Sequence, residues 1–151
     1  KSFVLGGHGD SMVAMLESTE IDGKNISEII KDGKLSKEKL DQIVERTKKG
    51  GAEIVKYLEK GSAFYAPAAS GVEMAECFIK DLKKQLPCAA YLNGEYGFTN
   101  VYAGVPIIIG KNGVEKIIEL NLSQKEKDAF ALSVKTVQDL YKAAQKIDPN
   151  L

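Results

Sequence analysis

One histidine stands in the whole chain, His8, and its neighbours make it the first candidate for chemistry. Glycines occupy positions 6, 7 and 9, and Asp10 and Ser11 follow. Imidazole, with an ordinary pKa of about 6.5, gives and takes a proton near neutral pH. Three neighbours without Cβ are expected to leave both sides of the ring open to a ligand. By residue type two readings stand: a proton carrier on an active-site loop, or an exposed turn histidine with no task. His8, Asp10 and Ser11 also supply the residue types of a hydrolase triad. That arrangement is discounted, because a triad needs the base between nucleophile and carboxylate in space, which neighbours on an extended turn rarely achieve. No G-x-S-x-G elbow is present either. One His and two distant cysteines, Cys77 and Cys88, offer no ligand pair at a recognised spacing, so no metal is expected. Gly7-His8-Gly9 would need a glycine at position 12, which is Met12, and no phosphate-binding loop motif occurs. The chain carries no nucleotide-binding fingerprint of its own.

The elements that must position His8 follow from periodicity. Phe3 to Leu5 reads as a short strand running into the glycine turn, and Ser11 to Ile21 as extended chain ending at Asp22-Gly23. A short helical turn is expected over Ser27 to Lys31. After Ser36, a good N-cap, Leu40, Ile43, Val44, Thr47, Gly51, Ile54, Val55 and Leu58 repeat at helical spacing. This predicts one long amphipathic helix stopping at Gly61, weakened at Gly50-Gly51 by a kink or by the close approach of another backbone. A second helix starts within Ala63 to Pro67, where Pro suits the first turn, and runs to Leu82. Cys88 to Leu92, Val101 to Ile109 and Val114 to Leu120 read as strands, with Asn112-Gly113 as a hairpin turn. Ser123 and Glu126 form a capping box for a last helix that reaches Ile147. Strands cluster and helices flank them without repeated β-α-β alternation. The predicted class is α+β, an antiparallel sheet flanked by long amphipathic helices.

The 151 residues suit one domain with its own core. Twenty lysines and one arginine balance 21 acids, so neither a polyanion partner nor a membrane surface is called for. The aliphatic run Val105 to Ile109, which ends at Gly110, is far below the roughly 20 residues of a spanning helix. Two cysteines at an uneventful spacing read as small buried residues in a reducing, cytoplasmic setting. The chain opens Lys1-Ser2-Phe3-Val4-Leu5 without a methionine, and is expected to be a piece of a longer polypeptide.

Gly6-Gly7-His8-Gly9-Asp10-Ser11 resembles the active-site histidine loop of the lactate and malate dehydrogenase family, G-x-H-G-D-S. Arg46 to Val55 is similar to the family's R-x-x-G-G-x-E-I-V helix, Gly61 to Ala69 to its G-S-A-x-Y-A-P-A segment, and Gly104 to Gly113 to its P-x-x-I-G-x-x-G hairpin. The segments occur in order across nearly the whole chain. Ala63 and Tyr65 stand where lactate enzymes tend to carry a hydroxyl-bearing residue and a tryptophan, so the resemblance leans to the malate branch.

The resemblance implies that residues 1–151 form the C-terminal substrate-binding and catalytic domain, with an N-terminal dinucleotide-binding domain outside this chain. It implies reversible NAD-dependent oxidation of malate to oxaloacetate, as in the tricarboxylic acid cycle, in a homodimer or homotetramer. His8 would be the proton donor and acceptor, Ala63 would line the oxoacid pocket, and Pro67 would sit near the nicotinamide. The aspartate that orients the histidine lies upstream in the family, so Asp10 does not inherit that role. A dicarboxylate calls for bidentate arginines, and the single Arg46 falls mid-helix, where a solvated or interface position is expected. The chain alone is therefore expected to be inactive. Alternatives are a lactate or other 2-hydroxyacid dehydrogenase, or a binding or dimerisation module without catalysis.

Overall fold

The computed structural model describes residues 1–149, and its spine is a long central strand. The elements are β1 (Val4–Gly6), β2 (Met12–Ala14), β3 (Glu20–Ile21), β4 (Lys24–Asn25), α1 (Ile26–Lys31), α2 (Lys37–Lys48) and α3 (Gly50–Leu58). They continue with α4 (Tyr65–Ile79), β5 (Lys84–Asn93), β6 (Thr99–Gly110), β7 (Gly113–Ile117) and α5 (Gln124–Ile147). The spine is β6, whose residues Val101, Ala103, Val105, Ile107 and Ile109 are all buried. That period of two puts them on one face, and Leu86, Cys88, Ala90 and Leu92 of β5 do the same. Cys77 of α4 and Phe130 and Val134 of α5 close the core over this face. The other face stays open, where Tyr91 and Tyr102 pair across the strands with ring centroids 5.3 Å apart.

Every strand pairing is antiparallel, as the sequence predicts. β5 runs along one edge of β6, while the other edge meets β1 at Gly6–Gly104 and β7 beyond Ile107. β2 completes the order β2-β1-β6-β5. The predicted hairpin forms between β6 and β7, with Gly110 opposite Gly113.

Three expectations are corrected. The long helix is two helices, broken at Lys49 (φ −93°, ψ 5°), which marks the kink option. Outside the helix's own backbone, no atom of the described residues lies within 4 Å of a Cβ built on Gly50 or Gly51, so no other segment among them approaches closely there. Its apolar stripe is only partly buried: Leu40 is covered, while Ile43, Ile54, Val55 and Leu58 stay exposed. The segment from Ser11 to Ile21 is extended only in β2 and β3, because Leu16 and Thr19 form a turn in which the Thr19 N–H donates to the Leu16 carbonyl. β5 begins at Lys84, four residues before the expected Cys88, since an exposed lysine at the end of its core-side row and Gln85 on its open face hide the start of the alternation.

Tyr96 fastens the β5–β6 connection to the chain beyond β7. Its hydroxyl donates to the Ile118 carbonyl (2.8 Å) and accepts from the Leu120 N–H (3.0 Å), and its ring meets Phe130 edge-on at 5.2 Å. Burial pushes this phenol above its ordinary value, outweighing the opposite effect of the Leu120 N–H. The folded state therefore holds the Tyr96 proton more tightly than the unfolded chain. The stability from this group is intact below the ordinary tyrosine value of about 10 and falls as pH rises from there toward the raised value. Tyr96→Phe should cost about 1–3 kcal/mol at pH 7, because the Leu120 N–H and Ile118 carbonyl lose their partner. It should also flatten the loss of stability above pH 10, and urea unfolding followed by circular dichroism at pH 7 and at alkaline pH reads both effects.

Candidate active site

His8 sits where β1 leaves the sheet, immediately before the 3-10 turn Gly9–Ser11 that leads into β2. The loop is a tight connection in the β1–β2 hairpin, with Leu5 opposite Val13 and Gly6 opposite Met12. His8 has ordinary extended backbone (φ −90°, ψ 147°) and an exposed side chain. Among the described residues no side chain hydrogen-bonds its imidazole, and the backbone that carries it fixes where the ring is mounted. The ring borders an open groove of about 340 Å³ on the uncovered sheet face, walled by Met12, Ala89, Tyr102 and Gly104.

The glycines around His8 divide the work differently from the open-sided reading. A Cβ on Gly6 would come 2.2 Å from the Ser133 Oγ, and one on Gly7 would come 2.2 Å from the Ser11 Oγ. Both positions lack a side chain because protein atoms already fill the space. Only Gly9 faces open space, and there a φ of +71° favours glycine. Gly104 matters for the same loop: its Cβ would lie 2.7 Å from the Gly6 carbonyl oxygen, so a side chain there would push β1 off β6.

Ser133, which residue type and spacing gave no reason to single out, reaches this loop from α5. It lies 126 residues from Gly7 along the chain, accepts the Gly7 N–H at 2.9 Å and donates to the Ser11 carbonyl at 2.5 Å. The same helix holds the hairpin's far end, where Glu126 accepts the Glu17 N–H at 3.3 Å while completing the predicted capping box with Ser123. Asp10 is exposed and Ser11 Oγ turns back to the His8 carbonyl at 3.4 Å rather than to the ring, so no triad is assembled.

The remaining candidates lie elsewhere. Ala63 is half-buried just before α4, and Pro67 is exposed in its first turn, where proline is tolerated as expected. Neither belongs to the wall of the groove that His8 borders. Arg46 is exposed and makes a bidentate pair with Glu53 across the α2–α3 break, Nε to Oε2 at 3.0 Å and Nη2 to Oε1 at 2.9 Å. That pair holds the Glu53 carboxyl below its usual range. Cys77 and Cys88 are free and buried, and burial pushes the Cys88 thiol up, as suits a core residue rather than a nucleophile. No helix among the described residues is long and apolar enough to cross a membrane.

A dinucleotide does not fit the glycine loop by itself. The loop passes into a 3-10 turn and a hairpin, not into a helix whose N-terminus could hold a pyrophosphate. What the arrangement offers is an exposed imidazole on a backbone fixed from both the sheet and α5.

The profile of the lactate/malate dehydrogenase alpha/beta C-terminal domain matches residues 1–147. The malate dehydrogenase of Pelagibacter ubique (strain HTCC1062) is 60% identical over all 151 residues, and these cover 47% of that protein. Among solved structures, the malate dehydrogenase of Cryptosporidium parvum matches with a TM-score of 0.92 at 43% identity, covering 97% of this chain and 46% of the other. The lactate dehydrogenase of Eimeria maxima, solved with NADH and oxamate, matches with a TM-score of 0.93 at 42% identity, covering 99% and 46%. The chain thus spans about half the length of the relatives it matches. With an antiparallel α+β fold, an exposed histidine on its glycine loop and a match over nearly every residue, the chain belongs to the lactate/malate dehydrogenase family, as its alpha/beta C-terminal domain.

Proposed function

We propose that this domain serves a malate dehydrogenase, interconverting malate and oxaloacetate with NAD, and that His8 carries the proton. The observation that supports this most is the histidine itself: it is exposed, without a side-chain partner, and mounted on a backbone loop secured at Gly7 and Ser11. In the malate direction neutral His8 takes the proton of the C2 hydroxyl as hydride leaves that carbon. In the reverse direction protonated His8 gives it to the ketone oxygen. NAD, held mainly by a dinucleotide-binding half outside residues 1–151, supplies the hydride acceptor. Ala63 serves the oxoacid pocket and Pro67 the nicotinamide side only once that half closes over α4.

The exposed apolar side chains of α3, of α4 and of Phe64 just before it support such closure. Ile54, Tyr57, Phe64, Tyr65, Val72 and Ile79 are uncovered within the chain, and surfaces of this kind mark contacts. We assign them to the dinucleotide-binding half and to a second copy in a homo-oligomer. Two free buried thiols suit a reducing cytoplasm.

The preference for malate over lactate rests on the 60% identity to the Pelagibacter ubique malate dehydrogenase and on Ala63 and Tyr65. Steady-state rates of NADH oxidation with oxaloacetate and with pyruvate, on the two-domain polypeptide, test it. A kcat/KM for oxaloacetate at least about 100-fold above that for pyruvate is expected, the order of discrimination that a buried ion pair to the second carboxylate supplies. Preference for pyruvate would make this a lactate enzyme, and activity with neither substrate would favour the non-catalytic module.

A further inference from the structure

We propose that Ser133 is a positioning residue for His8. This rests on the reading of His8 as the proton carrier. The imidazole has no side-chain hydrogen-bond partner among the described residues, so within them the backbone of the Gly7–Ser11 loop sets where its Cα, and with it the reach of the ring, lies. Inside the Gly6–Met12 pairing, one hydroxyl from α5 ties both ends of that loop. Ser133 accepts the N–H of Gly7, just before His8, and donates to the carbonyl of Ser11, three residues after it. A serine hydroxyl has one proton to give and lone pairs to receive, so a single side chain satisfies both ends of the loop.

The surroundings make this tether stiff. Ser133 is 3% exposed, and its helix neighbours Phe130 and Val134 are 1% and 0% exposed, so α5 is embedded in the core at this turn. Gly6 leaves the space that the hydroxyl occupies, and a Cβ on Gly7 would also meet Val137 of the next turn at 3.6 Å. Glu126, two turns earlier on the same face, holds the Glu17 N–H beyond β2. The last helix therefore sets the height of the histidine loop over the sheet. His8 itself is in relaxed extended backbone, so its own φ and ψ impose no strain that would hold the loop in place. Without the hydroxyl the loop gains freedom, and proton transfer loses the sub-ångström placement on which its rate depends.

The test compares Ser133→Ala, Ser133→Cys, Val134→Ala and His8→Asn in the two-domain polypeptide at 25 °C, below the onset of unfolding. Ser133→Cys fills the site with a slightly larger group that donates and accepts only weakly, so it remains informative if the alanine variant folds poorly. Both Ser133 variants should lower kcat by about 10- to 100-fold, with KM for NAD within about twofold of the parent. The primary deuterium isotope effect on kcat with 2-deuterated malate should rise, because the chemical step becomes limiting. Val134→Ala should lose stability while kcat stays within about twofold, which separates loop placement from general weakening of α5. Ser133 variants with unchanged kcat and isotope effect, beside a His8→Asn variant that is severely impaired, would overturn the positioning role and leave the proton-carrier reading standing. An active His8→Asn variant would overturn that reading and this inference with it.

Discussion

Replacing His8 by Asn in the two-domain polypeptide is expected to lower kcat for malate oxidation by about 10²- to 10⁴-fold, the usual share of general acid-base catalysis. That corresponds to about 2.7–5.5 kcal/mol of transition-state stabilisation. Asparagine is close in size and keeps a polar tip, yet its amide cannot carry a proton. The structure makes this substitution unusually clean. His8 is exposed, has no side-chain partner among the described residues, and lies in extended backbone that asparagine also adopts. Unfolding free energy should therefore stay within about 0.5 kcal/mol of the parent, as at other surface positions without special contacts. A large fall in kcat together with unchanged stability is the expected signature. Near-normal turnover in the variant would remove His8 from the chemistry.

Residues 1–151 purified by themselves should fold yet show no measurable malate oxidation. Folding is expected because the core is continuous from β5 and β6 to α4 and α5, with Val105, Ile107 and Val134 fully buried. Inactivity is expected because bringing hydride donor and acceptor together supplies much of a dehydrogenase's rate, with effective molarities of about 10⁵–10⁸ M in well-oriented cases. The described residues form no dinucleotide cradle, and the single arginine, Arg46, is taken up by Glu53 instead of being presented as a clamp for a carboxylate. Native-like circular dichroism without NADH formation at high malate and NAD would bear this out. An ordinary enzymatic rate of about 10 s⁻¹ from the isolated chain would refute the division of labour between the two halves.

Much of the architecture was readable from local pattern, and the reason differs by element. The alternation Val101, Ala103, Val105, Ile107, Ile109 identifies β6 because one buried face per strand imposes a period of two. Ser123 and Glu126 identify the start of α5 because helix N–H groups without partners need side-chain acceptors close in sequence. Both are short-range signals. The break at Lys49 was half legible: Gly50-Gly51 marks a weak point, but whether a helix bends or packs closely there depends on what lies opposite, and among the described residues nothing comes within 4 Å.

The site divides in the same way. His8 is conspicuous as the chain's single histidine, and its glycine frame marks a loop of unusual backbone. The reasons for those glycines were not legible, since the atoms that exclude a side chain at Gly6 and Gly104 come from Ser133 and from Gly6 itself, remote in sequence. Nor could Ser133 be singled out, because one serine on an amphipathic helix looks like any polar residue until the fold brings it to Gly7 and Ser11.

By itself, then, the sequence determined the central strand β6, the helix starts at Ser36 and Ser123, the antiparallel class and the residue able to carry a proton, because each depends on neighbours a few positions away. The tertiary structure decided which helix anchors the histidine loop, which glycines are needed for space, and which apolar faces remain uncovered. Those outcomes depend on contacts spanning more than 100 residues, such as that of Ser133 with Gly7, and on which surfaces the folded chain can bury against itself.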